Sequence, residues 1–347
     1  KARGYLRWKN IPYVEVPCSV SVYEKELVPR VGYPIVPVIV TPDDKTVQDT
    51  TDIIDYLEAH EPGASVYPDT PVQKLAALIF ELFGDEYLVI AAMHYRWAYN
   101  KDYAWGEFGK ALFPELSGEA QLEAGKERAA KFMAFLPMLG ITENSVAAIE
   151  QGYEKFLRAF NAHLAQHPFL FGTRPSIGDY GLLGPLYAHN YRDPASGEMM
   201  EKIAPRVADW CRRTHTPQHP LTGDFLADDA IPETLLPVLE LFSSEQLPLL
   251  MDTYTHLEAW AKNQYSGTEI PRAIGVHKIK IQGTEADRAV IPYSLWMLQR
   301  VSDHLNGLSG ADKQAADALL RKIGADSLIG FTPSVRVARK NFKTVLA

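Results

Sequence analysis

The chain has 347 residues, 46% of them apolar, which is long enough for two domain-sized cores plus an extension. Acidic side chains number 43 against 35 basic ones, a formal net charge of −8 with no basic block, so nucleic acid and anionic membrane are not expected as partners. Cys18 and Cys211 form no C-x-x-C pair, and apolar runs such as Tyr87 to Met93 fall far short of the roughly 20 residues of a membrane span, so a reducing, cytoplasmic setting is expected.

Lys1 to Lys9 reads as the end of a helix, stopped by Asn10-Ile11-Pro12, and Tyr13-Val14-Glu15-Val16 as a strand. Tyr33 to Val40 reads as a strand opened by Val36-Pro37. A polar turn at Pro42-Asp43-Asp44-Lys45, a second short strand and a helix capped by Asp49 or Thr50 follow. A proline at the head of a buried strand donates nothing to the ladder, so something other than a neighbouring strand is expected to meet that backbone.

Glu61-Pro62-Gly63 and Tyr67 to Pro71 form a linker. Beyond it Leu75, Leu78, Ile79, Leu82, Val89, Met93 and Trp97 fall on one helical face. On this first long helix Asp85, Glu86 and Arg96 flank the apolar stripe, and Asp85 and Arg96 lie about three turns apart on a shared face. Partner contacts, a polar site edge and structural ion pairing all account for them. A second long helix runs from about Ser145 to Ala165, and Ser176 and Asp179 have the spacing of a capping box before another helix.

After about Thr214, Ile231-Pro232-Glu233-Thr234 opens a helix toward Trp260, and His277 to Ile281 alternates like a short strand. Thr284 and Asp287 offer another cap, and Leu295, Leu298, Val301 and Leu305 form an amphipathic stripe. Cys211, His215 and His219 have helical ligand spacing, but Pro217 and Pro220 break that helix, so no metal site is expected.

Taken together, Val36-Pro37, the Asp49-Thr50 cap, the Ile53-x-x-Tyr56-Leu57 run and the capped segment Ser176-Ile177-Gly178-Asp179 resemble the glutathione transferase family. The resemblance implies an α/β plus all-α architecture: a thioredoxin-like glutathione-binding domain over 1–68, an all-helical domain over 69–213, and a mostly helical extension over 214–347 packed on the helical domain. It implies that the family's first strand and catalytic loop, roughly ten to twenty residues, precede Lys1. The Ser, Tyr or Cys that activates the glutathione thiol belongs to that loop. The implied activity is conjugation of the glutathione thiolate to small hydrophobic electrophiles, a detoxification chemistry, by a homodimer with glutathione as co-substrate and no metal. A glutathione-dependent thiol reductase or dehalogenase, and a non-catalytic binding or scaffold protein, remain open.

The resemblance also assigns residues. Val36 and a cis Pro37 would meet the peptide backbone of glutathione, and Gln48, Asp49 and Thr50 would hold its γ-glutamyl end at a helix N-terminus. There the Thr50 hydroxyl would bond the carboxylate and Asp49 the ammonium. Lys25 and Arg30 are candidates for the glycyl carboxylate or plain solvated cations. Tyr95 and Tyr99, with His94, are expected to line an electrophile pocket between the domains, although aromatic residues at this spacing equally build core. Cys18, after Pro17 at a strand end, reads as a small buried hydrophobe.

Overall fold

The computed structural model describes residues 1–217 and 223–347. Its first unit begins with α1 (Ala2–Trp8), whose Tyr5, Leu6 and Trp8 are buried. Next, α2 (Val20–Val22) passes through a π-helical turn at Tyr23–Leu27 into α3 (Val28–Val31), closed by Gly32 in the left-handed conformation at φ 87. Strands β1 (Val38–Val40) and β2 (Thr46–Gln48) form an antiparallel hairpin pairing Val38 with Gln48, and α4 (Thr50–His60) buries Ile53, Ile54 and Leu57 beside it. This is the thioredoxin-like part of the chain. The expected strand at Tyr13 to Val16 does not form: the segment is extended but unpaired, with Val14 90% exposed. A strand needs a ladder partner, and among the described residues β1 pairs only with β2.

The second unit is helical: α5 (Pro71–Glu86), α6 (Val89–Tyr99), α7 (Lys101–Leu112), α8 (Gly118–Met133), α9 (Val146–His163), α10 (Ile177–Pro185), α11 (Pro194–Ile203) and α12 (Pro205–His215). Helices α5 and α10 cross at Gly84 and Gly181, where a Cβ on Gly84 would come within 2.5 Å of the Gly181 backbone. The capping box forms: the Ser176 hydroxyl accepts from Asp179 N–H and the Asp179 carboxylate accepts from Ser176 N–H. The single long helix expected beyond Leu75 is instead two, because the chain breaks at Tyr87-Leu88. The Tyr87 hydroxyl there is tied to Glu245, 3.0 Å away on the extension, a contact that local periodicity does not encode.

The extension opens with α13 (Leu236–Leu241), which runs through a π-helical turn into α14 (Leu247–Ala261). Strands β3 (Val276–Ile281) and β4 (Thr284–Ala289) form a hairpin, followed by α15 (Tyr293–Gly307), α16 (Gly310–Lys322) and a last hairpin of β5 (Val337–Lys340) and β6 (Lys343–Leu346). Thr284 and Asp287 are therefore strand residues and no helix cap. Gln282 and Gly283 both take positive φ, 46 and 82, and make the tight turn that joins the two strands. Leu295, Leu298, Val301 and Leu305 of α15 are buried in a core shared with α5. Among the described residues no helix is long and apolar enough to cross a membrane.

Candidate functional site

The stretch of backbone around the Val-Pro step adjoins the N-terminus of α4. The Val36–Pro37 bond is cis, and the Pro37 carbonyl accepts from Asp49 N–H at 3.3 Å. The antiparallel register starts only at Val38, so Val36, 44% exposed, lies ahead of the ladder and enters no hydrogen bond among the described residues. Asp49 is the N-cap of α4, its Oδ1 accepting from Thr51 N–H at 2.9 Å. Its φ of 84 with ψ of 141 lies in a region that a side-chain-bearing residue rarely enters, and such a conformation persists only where several contacts fix it.

Two of those contacts come from the extension. The Tyr293 hydroxyl donates to Asp49 Oδ2 at 2.7 Å, and the Arg339 guanidinium lies 4.0 Å from the same oxygen. Arg339 also donates from Nη2 to Gln48 Oε1 at 2.6 Å and pairs through Nε with Asp52 at 2.8 Å. Its guanidinium sits over the rings of Tyr293 and Trp296, 5.6 and 5.5 Å from their centroids. Burial, together with the negative charge of Asp49, pushes the Tyr293 hydroxyl far above the ordinary tyrosine range, so it acts only as a neutral donor. Burial raises the Asp52 carboxyl, with Arg339 opposing the shift.

Beneath the first turn of α4 lies a buried polar network. Thr51 donates to Glu81 at 2.8 Å, and the Lys1 ammonium reaches Thr51, Glu81 and Asp85. From α15, Arg300 bonds Asp55 at 2.5 Å and the Tyr67 hydroxyl at 2.8 Å, so the extension ties the first unit to the linker. Desolvation raises Asp85 to about 6 despite Lys1, and raises Glu86 to about 8.

Gln48, Asp49 and Thr50 thus sit together beside Val36 and Pro37. Tyr95 and Tyr99 do not join them. Tyr95 is buried in an aromatic cluster with Tyr153, and the Tyr99 hydroxyl donates to Glu150, which also holds His94 at 2.8 Å. A small apolar cavity between α5, α6 and α9 is lined by Phe83, Tyr87, Ile90, Ile149, Tyr153 and Phe156, without Tyr95 or Tyr99. Asp85 and Arg96 share no helix face, because they lie on α5 and α6. Arg96 instead clamps buried Asp193 bidentately, at 2.6 and 2.7 Å. Arg30 pairs with Asp44 at 2.8 Å and Lys25 is exposed.

Cys18 is only partly buried and belongs to no strand, whereas Cys211 is fully buried on α12. His215 ends α12 stacked on Tyr187, and His219 lies outside the described residues. Asp252, His256 and His277 converge with donor atoms within 4.8 Å of one another. His277 Nδ1 donates to the Asp252 carboxylate at 2.6 Å, and its cross-strand neighbour is Arg288, a buried cation that opposes a metal ion there. Tyr293, Trp296 and Arg339 are the site residues that sequence reasoning missed. The run Val335-Arg336-Val337-Ala338-Arg339 before Lys340-Asn341 signals the hairpin that carries Arg339, but nothing local signals its docking place against α15 and the α4 cap.

A family model described as glutathione S-transferase, N-terminal domain, matches residues 1–65, and one described as glutathione S-transferase, C-terminal domain, matches residues 143–213. No curated protein matches the sequence. A crystal structure of a glutathione S-transferase from Rhodospirillum rubrum F11 is similar with a TM-score of 0.39 at 14% identity, covering 67% of this chain and 90% of that one, a likeness too distant to carry an argument. With both family domains present in order along one chain, the protein is a member of the glutathione S-transferase family.

Proposed function

We propose that the chain binds glutathione at Val36, Pro37, Gln48, Asp49 and Thr50, and that it serves glutathione transfer to a small hydrophobic electrophile. Exposed Val36, with its N–H and C=O unpaired beside the N-terminus of α4, carries this reading. Backbone groups left free at a strand end take an extended peptide as an added strand. The first turn of a helix offers N–H groups and a positive dipole end to a carboxylate. In this reading Val36 pairs with the cysteinyl backbone of glutathione, Thr50 and the α4 N-terminus take the γ-glutamyl carboxylate, and Asp49 takes the ammonium. A homodimer working in the cytoplasm belongs to the same reading.

Replacing Asp49 and Thr50 together by alanine removes one or two charge-assisted hydrogen bonds, each worth ~1.5 to 3 kcal/mol, so glutathione affinity falls at least about tenfold. Titration calorimetry of the full chain with reduced glutathione reads this directly, and an unchanged affinity refutes the site.

A second reading, a binding protein without turnover, is favoured by one observation: α15 lies against the α4 cap, with Met297 Sδ 3.8 Å from the Thr51 hydroxyl. Glutathione binding without thioether formation from an activated aryl halide would select it.

A further inference from the structure

Asp49 has little capacity left for a ligand. One carboxylate oxygen caps α4, and the other accepts from Tyr293 with the Arg339 guanidinium at 4.0 Å. The Gln48 amide oxygen and the Asp52 carboxylate are engaged by the same guanidinium, at 2.6 and 2.8 Å. Arg339 is thus a cation with an apolar stem, its side chain only 11% exposed, held by an Asp, an Asp and a Gln and covered by Tyr293 and Trp296. A ligand's ammonium would require the same arrangement of acceptors.

The hairpin that delivers Arg339 is anchored away from the site. The Gln299 side chain bonds both the N–H and the C=O of Val337, at 2.7 and 2.8 Å, and Arg336 forks onto Asp303. At its far end the turn residues Asn341 and Phe342 take left-handed φ values of 51 and 64, and the Phe342 carbonyl accepts from the Tyr33 hydroxyl at 2.5 Å. A bulky residue in that region is disfavoured unless neighbours hold it, and Tyr33 lies just ahead of the Val-Pro segment. The hairpin therefore has a firm root on α15 and a tip that leans on the first unit.

We infer that the C-terminal hairpin keeps the γ-glutamyl site self-occupied, with the Arg339 guanidinium standing where the ligand's ammonium goes, so that glutathione enters by displacing this side chain. The inference rests on the reading of Asp49 and Thr50 as the glutathione site. Displacement leaves the root at Gln299 and Asp303 intact, because only the side chain of Arg339 and the tip at Phe342 have to move. Glutathione meets a competitor at very high effective concentration, which lowers its apparent affinity in proportion to the fraction of molecules with the site open.

The test is calorimetric titration of reduced glutathione into the full chain, wild type, Arg339→Gln and Tyr293→Phe, with folding checked by circular dichroism. Tyr293→Phe removes one hydroxyl and keeps the ring. The expected result is a gain in affinity of about tenfold or more for Arg339→Gln and a smaller gain for Tyr293→Phe, with faster hydrogen exchange confined to the hairpin tip, 340–343, when wild type is saturated with glutathione. Equal or lower affinity in Arg339→Gln, while Asp49→Ala/Thr50→Ala still weakens binding at least about tenfold, overturns the self-occupied site and leaves the glutathione site standing. No binding by any variant, the released ones included, overturns both.

Discussion

Replacing Arg96 by methionine withdraws both cationic donors from the Asp193 carboxylate, whose side chain is 1% exposed, and also the 3.0 Å bond to the Ala188 carbonyl. Methionine keeps most of the stem's packing, so the loss isolates the charge. Stranding one member of a buried ion pair is worth about 3–5 kcal/mol, because desolvation of the remaining charge is no longer offset. Urea unfolding at neutral pH measures it. Removing both charges, in Arg96→Met/Asp193→Leu, restores most of that loss, since no charge is then stranded. The corresponding cycle between Arg96 and Asp85 shows coupling near zero, because the two side chains sit on different helices and Asp85 is paired with Lys1. A loss below about 1 kcal/mol for Arg96→Met, or a coupling to Asp85 as large as that to Asp193, would refute the reasoning.

Two further outcomes follow from the same kind of accounting. Ser176→Ala removes the hydroxyl that accepts from Asp179 N–H and donates to its carboxylate at 2.8 Å, and is expected to lower stability by about 0.5–2 kcal/mol with glutathione affinity unchanged; lost affinity at an unaltered melting temperature would reverse the role given to the cap. Glu86 is raised by burial, and next by the negative charges of Asp85 and Asp49, from 4.5 to about 8. Its folded state therefore holds a proton that the unfolded chain has released, so stability declines as the pH climbs from 4.5 toward 8. Glu86→Gln is expected to flatten that decline by roughly 2 kcal/mol in denaturation at pH 5 and pH 8, while parallel slopes for the two proteins would exclude the assignment.

The Val36–Pro37 step ahead of the first hairpin, the Asp49 cap of α4 and the capping box before α10 were legible in the sequence because their determinants are local. A proline at a strand head, an Asp-Thr helix cap and the Ser176-x-x-Asp179 box each satisfy or withhold backbone groups within a few residues of themselves, so residue type and spacing specify them. The amphipathic stripe of α15 was readable for a similar reason, since its period follows from helix geometry alone. The strand at Tyr13 to Val16 failed for the complementary reason: extended propensity makes a strand only when another strand completes its hydrogen bonds. The break between α5 and α6, the Arg96–Asp193 pair and the docking of Arg339 on Gln48 and Asp52 were decided by the tertiary structure. Each depends on groups that lie far apart in the chain, such as Arg339, which meets Gln48 across 291 positions. Sequence periodicity records which face of a helix or strand is apolar, but the polar partner that reaches a given side chain is chosen by how those faces pack, and only packing brought the last hairpin to the cap of α4.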